Sequence, residues 1–227
     1  MVNIEYIREM FKDKKKAKSV SYIEECIYKA GARPLRGDTR QWQDSDDKLA
    51  MIQEPRQLAK FMVYLSSMQI KKYIEVGVAS GSTFLFLCSY MREMCDLEEA
   101  TAVDIAVPHK LIKVLESDQM PYASFLLYDS RSLEFGKFLN GREFELAFID
   151  GSHEYVDVME DYRLLKDRSG ALAFHDIVCR YQPGVVQAWN EIREENSNKV
   201  AVEFIDQSHD RCVKVAGIGL IHIRREK

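Results

Sequence analysis

Cysteine is scarce in this chain and nowhere paired by spacing. The five residues, Cys26, Cys88, Cys95, Cys179 and Cys212, are odd in number and show no C-x-x-C pattern. That excludes a disulfide framework and suits reduced thiols in a cytoplasmic protein. Long hydrophobic runs are also missing. The stretch 84–90 is far short of the roughly 20 apolar residues that cross a bilayer. The N-terminal MVNIEYIREMFKDKKK mixes charges among its apolar residues, which no signal peptide does. Nor does one sign of charge dominate. With 32 Lys and Arg against 36 Asp and Glu, the net charge is −4 and leaves no electrostatic footprint for nucleic acid. The basic cluster from Lys12 to Lys18 is short and reads as a solvated helix face. Internal repeats and low-complexity segments are lacking too. The expected partners therefore exclude nucleic acid and membrane.

What is present fits one α/β domain with some decoration: 227 residues, 46% hydrophobic and 30% charged. Residues 2–30 read as one or two amphipathic helices, with Ile4, Ile7, Met10 and Phe11 at helical spacing. Gly31, Pro34 and Gly37 then break the pattern. The polar stretch 31–54 reads as a lid, a binding loop or a plain surface connection. We therefore divide the chain into an N-terminal helical and lid segment, 1–54, and a main domain, 55–227. Pro55 opens a helix that carries Leu58, Phe61, Met62 and Leu65 on one face.

From Lys71 onward strands and helices alternate. Apolar runs at 72–76, 101–105, 124–128, 145–149 and 171–174 are separated by helical patterns at 81–94, 108–116, 132–139, 155–165 and 185–195. Five such repeats predict a parallel sheet covered on both faces. The runs are nearly continuous, as sheets buried on both sides require. Two further strands, 200–205 and 217–223, have no crossover helix between them and should pair antiparallel. The expected fold is a Rossmann-like three-layer sandwich with a seven-stranded, mostly parallel sheet ending in an antiparallel hairpin.

In open α/β sheets, ligands bind beyond the carboxyl ends of the strands, where strand order reverses. The turn after the first strand reads Glu75-Val76-Gly77-Val78-Ala79-Ser80-Gly81-Ser82. Gly77 permits a tight turn, and Gly81 allows a close approach of backbone to ligand. Ser82 and Thr83 can cap the next helix, whose first amides face the site. The spacing is G-x-x-x-G, so it lacks the G-x-G-x-x-G of dinucleotide sites, and no Gly-Lys-Ser/Thr of a P-loop follows. Glu75 suits a ligand with a cationic amino group. The second strand ends at Asp104, where a carboxylate can accept from ribose hydroxyls, with Ile105 available to pack on an adenine face. The third ends at Asp129-Ser130, placed to meet the adenine amino group. Asp104 alone does not separate an adenosyl ligand from NAD.

Taken together, Glu75-x-Gly77-x-x-x-Gly81, Asp104, Asp129, the run Phe148-Ile149-Asp150-Gly151-Ser152-His153 and the run Phe174-His175-Asp176 resemble the class I S-adenosylmethionine-dependent methyltransferases. Within that class the chain looks most like the branch of macrocin and sugar O-methyltransferases and cephalosporin-hydroxylase-like proteins. The resemblance covers roughly residues 55–225. It implies S-adenosyl-L-methionine as cofactor and a small hydroxylated acceptor, a sugar or natural product. It also implies a divalent metal, Mg²⁺ or Mn²⁺, on Asp150, His175 and Asp176. Two carboxylates at adjacent strand ends can reach one hard cation. The resembled branch often has two acidic residues on the fifth strand, whereas here the first is His175, which softens the donor set. Asp150 or His153 would take the acceptor's proton, and Arg180, Tyr181 and Gln182 would touch the acceptor. N-terminal helices in that branch often pair two copies, which implies a homo-oligomer through that segment. Two rival readings stand beside this one: an NAD-dependent dehydrogenase or epimerase, and a methyltransferase-like module kept only for binding.

Overall fold

The computed structural model describes residues 2–32, 48–206 and 216–224. Helices α1 (Ile4–Glu9) and α2 (Val20–Ala30), with a 3₁₀ turn at Lys16–Lys18, precede α3 (Pro55–Leu65). The alternating part runs β1 (Lys72–Val76), α4 (Ser82–Met94), β2 (Glu99–Asp104), α5 (His109–Glu116), β3 (Ala123–Leu127), α6 (Leu133–Leu139), β4 (Phe144–Ile149), α7 (Tyr155–Leu165), β5 (Ser169–His175) and α8 (Pro183–Glu195). β6 (Ala201–Phe204) and β7 (Ile218–His222) close the chain. The expected alternation is present, with element ends displaced by a residue or two.

The seven strands form one sheet in the order β3-β2-β1-β4-β5-β7-β6. β1 to β5 are parallel, while β7 runs antiparallel to both β5 and β6. The strands step outward from β1 to β3 and then return to the other side of β1, so the order reverses between β1 and β4. A crevice must open there, because the helices that follow β1 and β4 leave toward opposite faces.

Strand alternation sorts the buried side chains into two layers. Tyr73, Leu146, Phe148, Ala171 and Ala173 face a core shared with α3, α4 and the N-terminal helices. Ile74, Ala147, Ile149, Leu172 and Phe174 face a second core against α6, α7 and α8. Phe11 and Ile23 of the N-terminal region are fully buried in the first core, beside Phe61 and Phe86. Phe11 packs edge-on against Phe86 and Tyr90. The amphipathic stripe read in 2–30 is therefore spent on the main sheet's own core, and residues 2–32 are packed as part of it.

One close approach fixes the level of the strand ends. Gly77 has φ +83°, and a Cβ placed on it would lie 2.2 Å from the Cα of Gly151. The turn after β1 and the turn after β4 touch backbone to backbone. Gly77→Ala is expected to cost about 2–5 kcal/mol, through left-handed strain and a contact that neither backbone can yield. Urea unfolding measures it, and a loss under about 1 kcal/mol, the ordinary cost of a surface change, would refute this reading.

Candidate functional site

The backbone amide of Gly77 donates to the Val103 carbonyl at 2.8 Å, that of Asp150 to Val76 at 2.8 Å, and that of Tyr128 to Asp104 at 3.0 Å. These bonds continue the sheet one residue past β1 and β4. Register pairs Val76 with Val103 and Ile149, and Ile149 with Phe174. Gly77, Asp104, Asp150 and His175 consequently stand in a row along the carboxyl edge. A cavity of about 1030 Å³ opens over that edge. Glu75, Gly77, Ser82, Asp104, Ile105, Asp129, Ser130, Asp150, His153, His175 and Asp176 all line it.

Gly81 lies outside that lining. Its φ is +80°, and an added Cβ would sit 2.5 Å from the Cβ of Leu111. The glycine makes room for α5. The expected cap on α4 is corrected: it is not Ser82 or Thr83. The N-cap of α4 is Gly81, and the helix has no side-chain cap bond. The Ser82 hydroxyl instead bonds the Leu49 carbonyl and lies 2.7 Å from the Ser80 hydroxyl.

Asp104 does more than face the cavity. Its Oδ2 accepts from the amides of Val78 at 2.9 Å and Ala79 at 2.8 Å, and its Oδ1 from Ala106 at 2.9 Å. The carboxylate holds the glycine-flanked turn in shape, including Ala79 at φ +47°. A carboxylate accepts about four bonds, so the three amides leave one acceptor site, on Oδ1. Asp129 is already engaged. Arg131 grips it bidentately, with 3.0 Å contacts from Nε and Nη2, and also reaches Asp157 at 2.8 Å. The guanidinium holds the Asp129 carboxyl below its usual range.

Glu75 lies on the same strand face as Tyr73 by the period of two. The Tyr73 hydroxyl donates to its Oε2. Glu75 is 1% exposed. Burial pushes its carboxyl up to about 8, against the opposing pull of the Tyr73 hydrogen bond. The neutral acid is therefore favoured in the folded protein.

At the other end of the cavity, His175 is 7% exposed. Its Nδ1 lies 3.1 Å from Asp150 Oδ1 and 3.6 Å from Asp176 Oδ2. Register seats Asp150 opposite His175, not opposite Asp176. Strand alternation would carry Asp176 away from His175, but Asp176 adopts φ +62°. That left-handed turn, which aspartate tolerates better than most residues, brings its carboxylate back to the cluster. One ligand atom from each of Asp150, His175 and Asp176 falls within 4.8 Å of the others. Burial pulls the imidazole's pKa down, but Asp150, by charge and hydrogen bond, and then Asp176 and Glu75 outweigh it and lift it to about 9. His153 Nε2 sits 3.4 Å from Asp176 Oδ2. The Phe148 ring meets His175 edge-on at 6.4 Å.

Residues 50–54 also line the cavity. They cross its mouth as a strap held by Ser82 on the Leu49 carbonyl and by Lys110 Nζ on the Lys48 carbonyl at 2.6 Å. Gln53 on this strap is 3% exposed, and its Nε2 lies 3.4 Å from Asp150 Oδ2. Sequence reasoning marked the segment as a lid or loop but found no single residue in it, since an isolated glutamine carries no pattern. Of the three expected acceptor contacts, Gln182 lines the cavity. Arg180 opens on a neighbouring hollow of about 460 Å³ and stacks over the Tyr181 ring. The polar connection between the last two strands, residues 206–216, also reads from sequence as a segment that closes over the site, and it lies mostly outside the described residues.

Comparison with known proteins agrees with this geometry. Residues 74–177 match the model of a family described as a methyltransferase domain. No curated protein matches the chain. A Klebsiella pneumoniae structure assigned as an O-methyltransferase is similar over 91% of this chain and 90% of its own, at 14% identity and a TM-score of 0.57. The O-methyltransferase of Bacillus cereus in complex with SAH is similar over 76% of this chain and 83% of its own, at 12% identity and TM-score 0.56. TomG of Streptomyces achromogenes, an O-methyltransferase involved in tomaymycin synthesis, was solved with SAM. It is similar over 76% of this chain and 81% of its own, at 13% identity and TM-score 0.56. Likeness at such identities speaks for the fold, which this chain shares with those methyltransferases. The family match covers the stretch from β1 to the end of β5, a little under half of the chain.

The raised Glu75 value has a consequence for stability. A carboxyl lifted in the folded state stabilises fully below its ordinary 4.5, and that contribution is lost as pH rises through about 8. Glu75→Gln keeps a neutral side chain throughout. In chelator-treated protein, the variant's stability relative to wild type should rise between pH 4.5 and 8. Parallel urea-midpoint profiles would refute a neutral Glu75.

Proposed function

We propose that this chain binds S-adenosyl-L-methionine along the β1–β3 half of the cavity and transfers its methyl group to a hydroxyl of a small acceptor, a sugar or natural product. The observation that carries the reading is the single cavity. It joins the turn of Gly77 and the carboxylate of Asp104 to the cluster of Asp150, His153, His175 and Asp176. In this reading the remaining acceptor site of Asp104, on Oδ1, takes a ribose hydroxyl. The exposed face of Ile105 covers the adenine, and Ser130 lies at its edge. Asp129, committed to Arg131, contributes less to the adenine than its position alone suggests. A cationic amino group near Glu75 would favour the ionised carboxylate and so draw off its proton on binding.

The reaction is an in-line displacement. The acceptor oxygen forms a bond to the methyl carbon as the carbon–sulfur bond breaks. The sulfur keeps the electron pair and leaves as the neutral thioether of S-adenosylhomocysteine. The acceptor proton goes to His153 Nδ1, with Asp176, 3.4 Å from Nε2, as the orienting carboxylate. The sulfonium supplies the activated methyl. This chain's residues align donor with acceptor, worth about 7–11 kcal/mol when well oriented. Asp150, His175 and Asp176 suit a divalent cation by donor type and mutual distance. His175 Nδ1, 3.1 Å from Asp150 Oδ1 and 3.6 Å from Asp176 Oδ2, would be the imidazole's ligand atom. Mg²⁺ or Mn²⁺ bound there would lower the pKa of the acceptor hydroxyl. The strap at 48–54 serves as the lid over this chamber, and pairing of two copies through the N-terminal helices remains part of the proposal.

Titration with S-adenosylhomocysteine should give saturable heat, and NAD should give none. Asp104→Ala should weaken that binding at least 100-fold, about 2.7 kcal/mol, while the protein still unfolds cooperatively. Unchanged affinity would remove Asp104 from the ribose role, and no heat from wild type would remove the cofactor. Once an acceptor turns over, His153→Ala should lower kcat by about 10²–10⁴-fold and leave S-adenosylhomocysteine affinity unchanged. A variant with wild-type kcat would pass the role of base to Asp150.

A further inference from the structure

Gln53 reaches the reaction end of the cavity from a part of the chain that the methyltransferase-family match, residues 74–177, does not include. It is 3% exposed, and its amide Oε1 is buried with no hydrogen-bond partner. Its Nε2 contact to Asp150 Oδ2, at 3.4 Å, is longer than a good N–H···O bond. A weak bond on one side of the amide and none on the other does not account for burying this group. Glutamine's length would allow an exposed position two residues before α3, yet the strap turns it inward. Its backbone is held on both sides. Upstream, Leu49 and Lys48 are pinned by Ser82 and Lys110. Downstream, Pro55 starts α3, whose Gln57 Oε1 accepts from the Gly217 amide at 2.8 Å. The amide is thus delivered beside Asp150 by a fixed support.

We propose that Gln53 is a fourth protein ligand of the cation proposed for Asp150, His175 and Asp176, so that the N-terminal strap closes the reaction centre by coordinating its metal. The two ends of an amide are nearly isosteric, and which faces a neighbour follows from what that neighbour offers. Facing a bare carboxylate, the NH₂ turns inward and Oε1 is left without a donor. With a divalent cation between them, the amide turns about its last side-chain bond and presents Oε1, a hard neutral oxygen of the kind Mg²⁺ and Ca²⁺ accept from Asn and Gln. The donor set becomes two carboxylate oxygens, one imidazole nitrogen and one amide oxygen. Positions remain for water and for the acceptor's oxygen. A neutral ligand adds affinity without further negative charge beside Asp150. The metal then fastens strap to strand ends, and its loading orders the lid.

This inference rests on the metal reading above, and the test separates the two. The probe is Mn²⁺ alone, titrated into the full, chelator-stripped chain and followed by electron paramagnetic resonance and calorimetry. Wild type should bind one Mn²⁺ and Asp150→Asn none. Gln53→Ala should bind at least tenfold more weakly, and Gln53→Glu at least as tightly as wild type. Gln53→Met, nearly isosteric and without the oxygen, replaces the alanine variant if that does not fold. A second readout needs no turnover: amide hydrogen exchange over residues 48–54 should slow with Mn²⁺ in wild type and not in Gln53→Met. Equal affinity in wild type and both oxygen-free variants would overturn the role of Gln53 and leave the metal standing. No binding by wild type would overturn both, while the titration with S-adenosylhomocysteine reports separately on the methyltransferase reading.

Discussion

The contact between the turns that follow β1 and β4 governs the rest of the molecule. Gly77 lies so near Gly151 that even a methyl group is excluded, and the amide of Asp150 bonds the Val76 carbonyl across the same gap. These two strands flank the point where sheet order reverses. Locking their ends at one level puts Asp104 on one side and Asp150 and His175 on the other at fixed distances. Ordinary strand spacing then does the rest, since neighbouring parallel strands lie only about 4.8 Å apart. A cavity that joins the turn of Gly77 and Asp104 to the cluster of Asp150, His175 and Asp176 follows from register, not from any special loop.

Electrostatics divides that cavity. Toward β2 and β3, carboxylates are already occupied: Asp104 by three backbone amides and Asp129 by Arg131. Toward β4 and β5, two aspartates crowd one buried imidazole and hold it cationic to about pH 9. Between them, Glu75 is kept neutral by burial. The protein has arranged one stabilised positive charge among its acids, in a place where a cation or a sulfonium would serve the same purpose. Left-handed backbone at Asp176 is the local strain that this arrangement requires.

The described residues before α3 are tied to this edge of the sheet by packing. Phe11 and Ile23 fill the sheet's first core, and the strap they lead into runs across the cavity mouth. An extension anchored in the core brings Gln53 beside Asp150 at a place that the sheet sets.

Periodicity alone determined the alternating elements, because a strand buried on both faces and a helix buried on one leave different spacings in the sequence. It also determined the terminal antiparallel pair, since no crossover helix was available between those strands. The residues at strand ends were legible for the same reason: chain position on a parallel sheet fixes which end they occupy. Tertiary structure decided what those residues touch. That Gly81 makes room for Leu111, that Ser82 holds the strap and that Gln53 meets Asp150 all depend on contacts between segments far apart in sequence, up to 97 residues in the last case. No local pattern encodes such contacts, because they arise only when separate elements are brought to a common edge by packing.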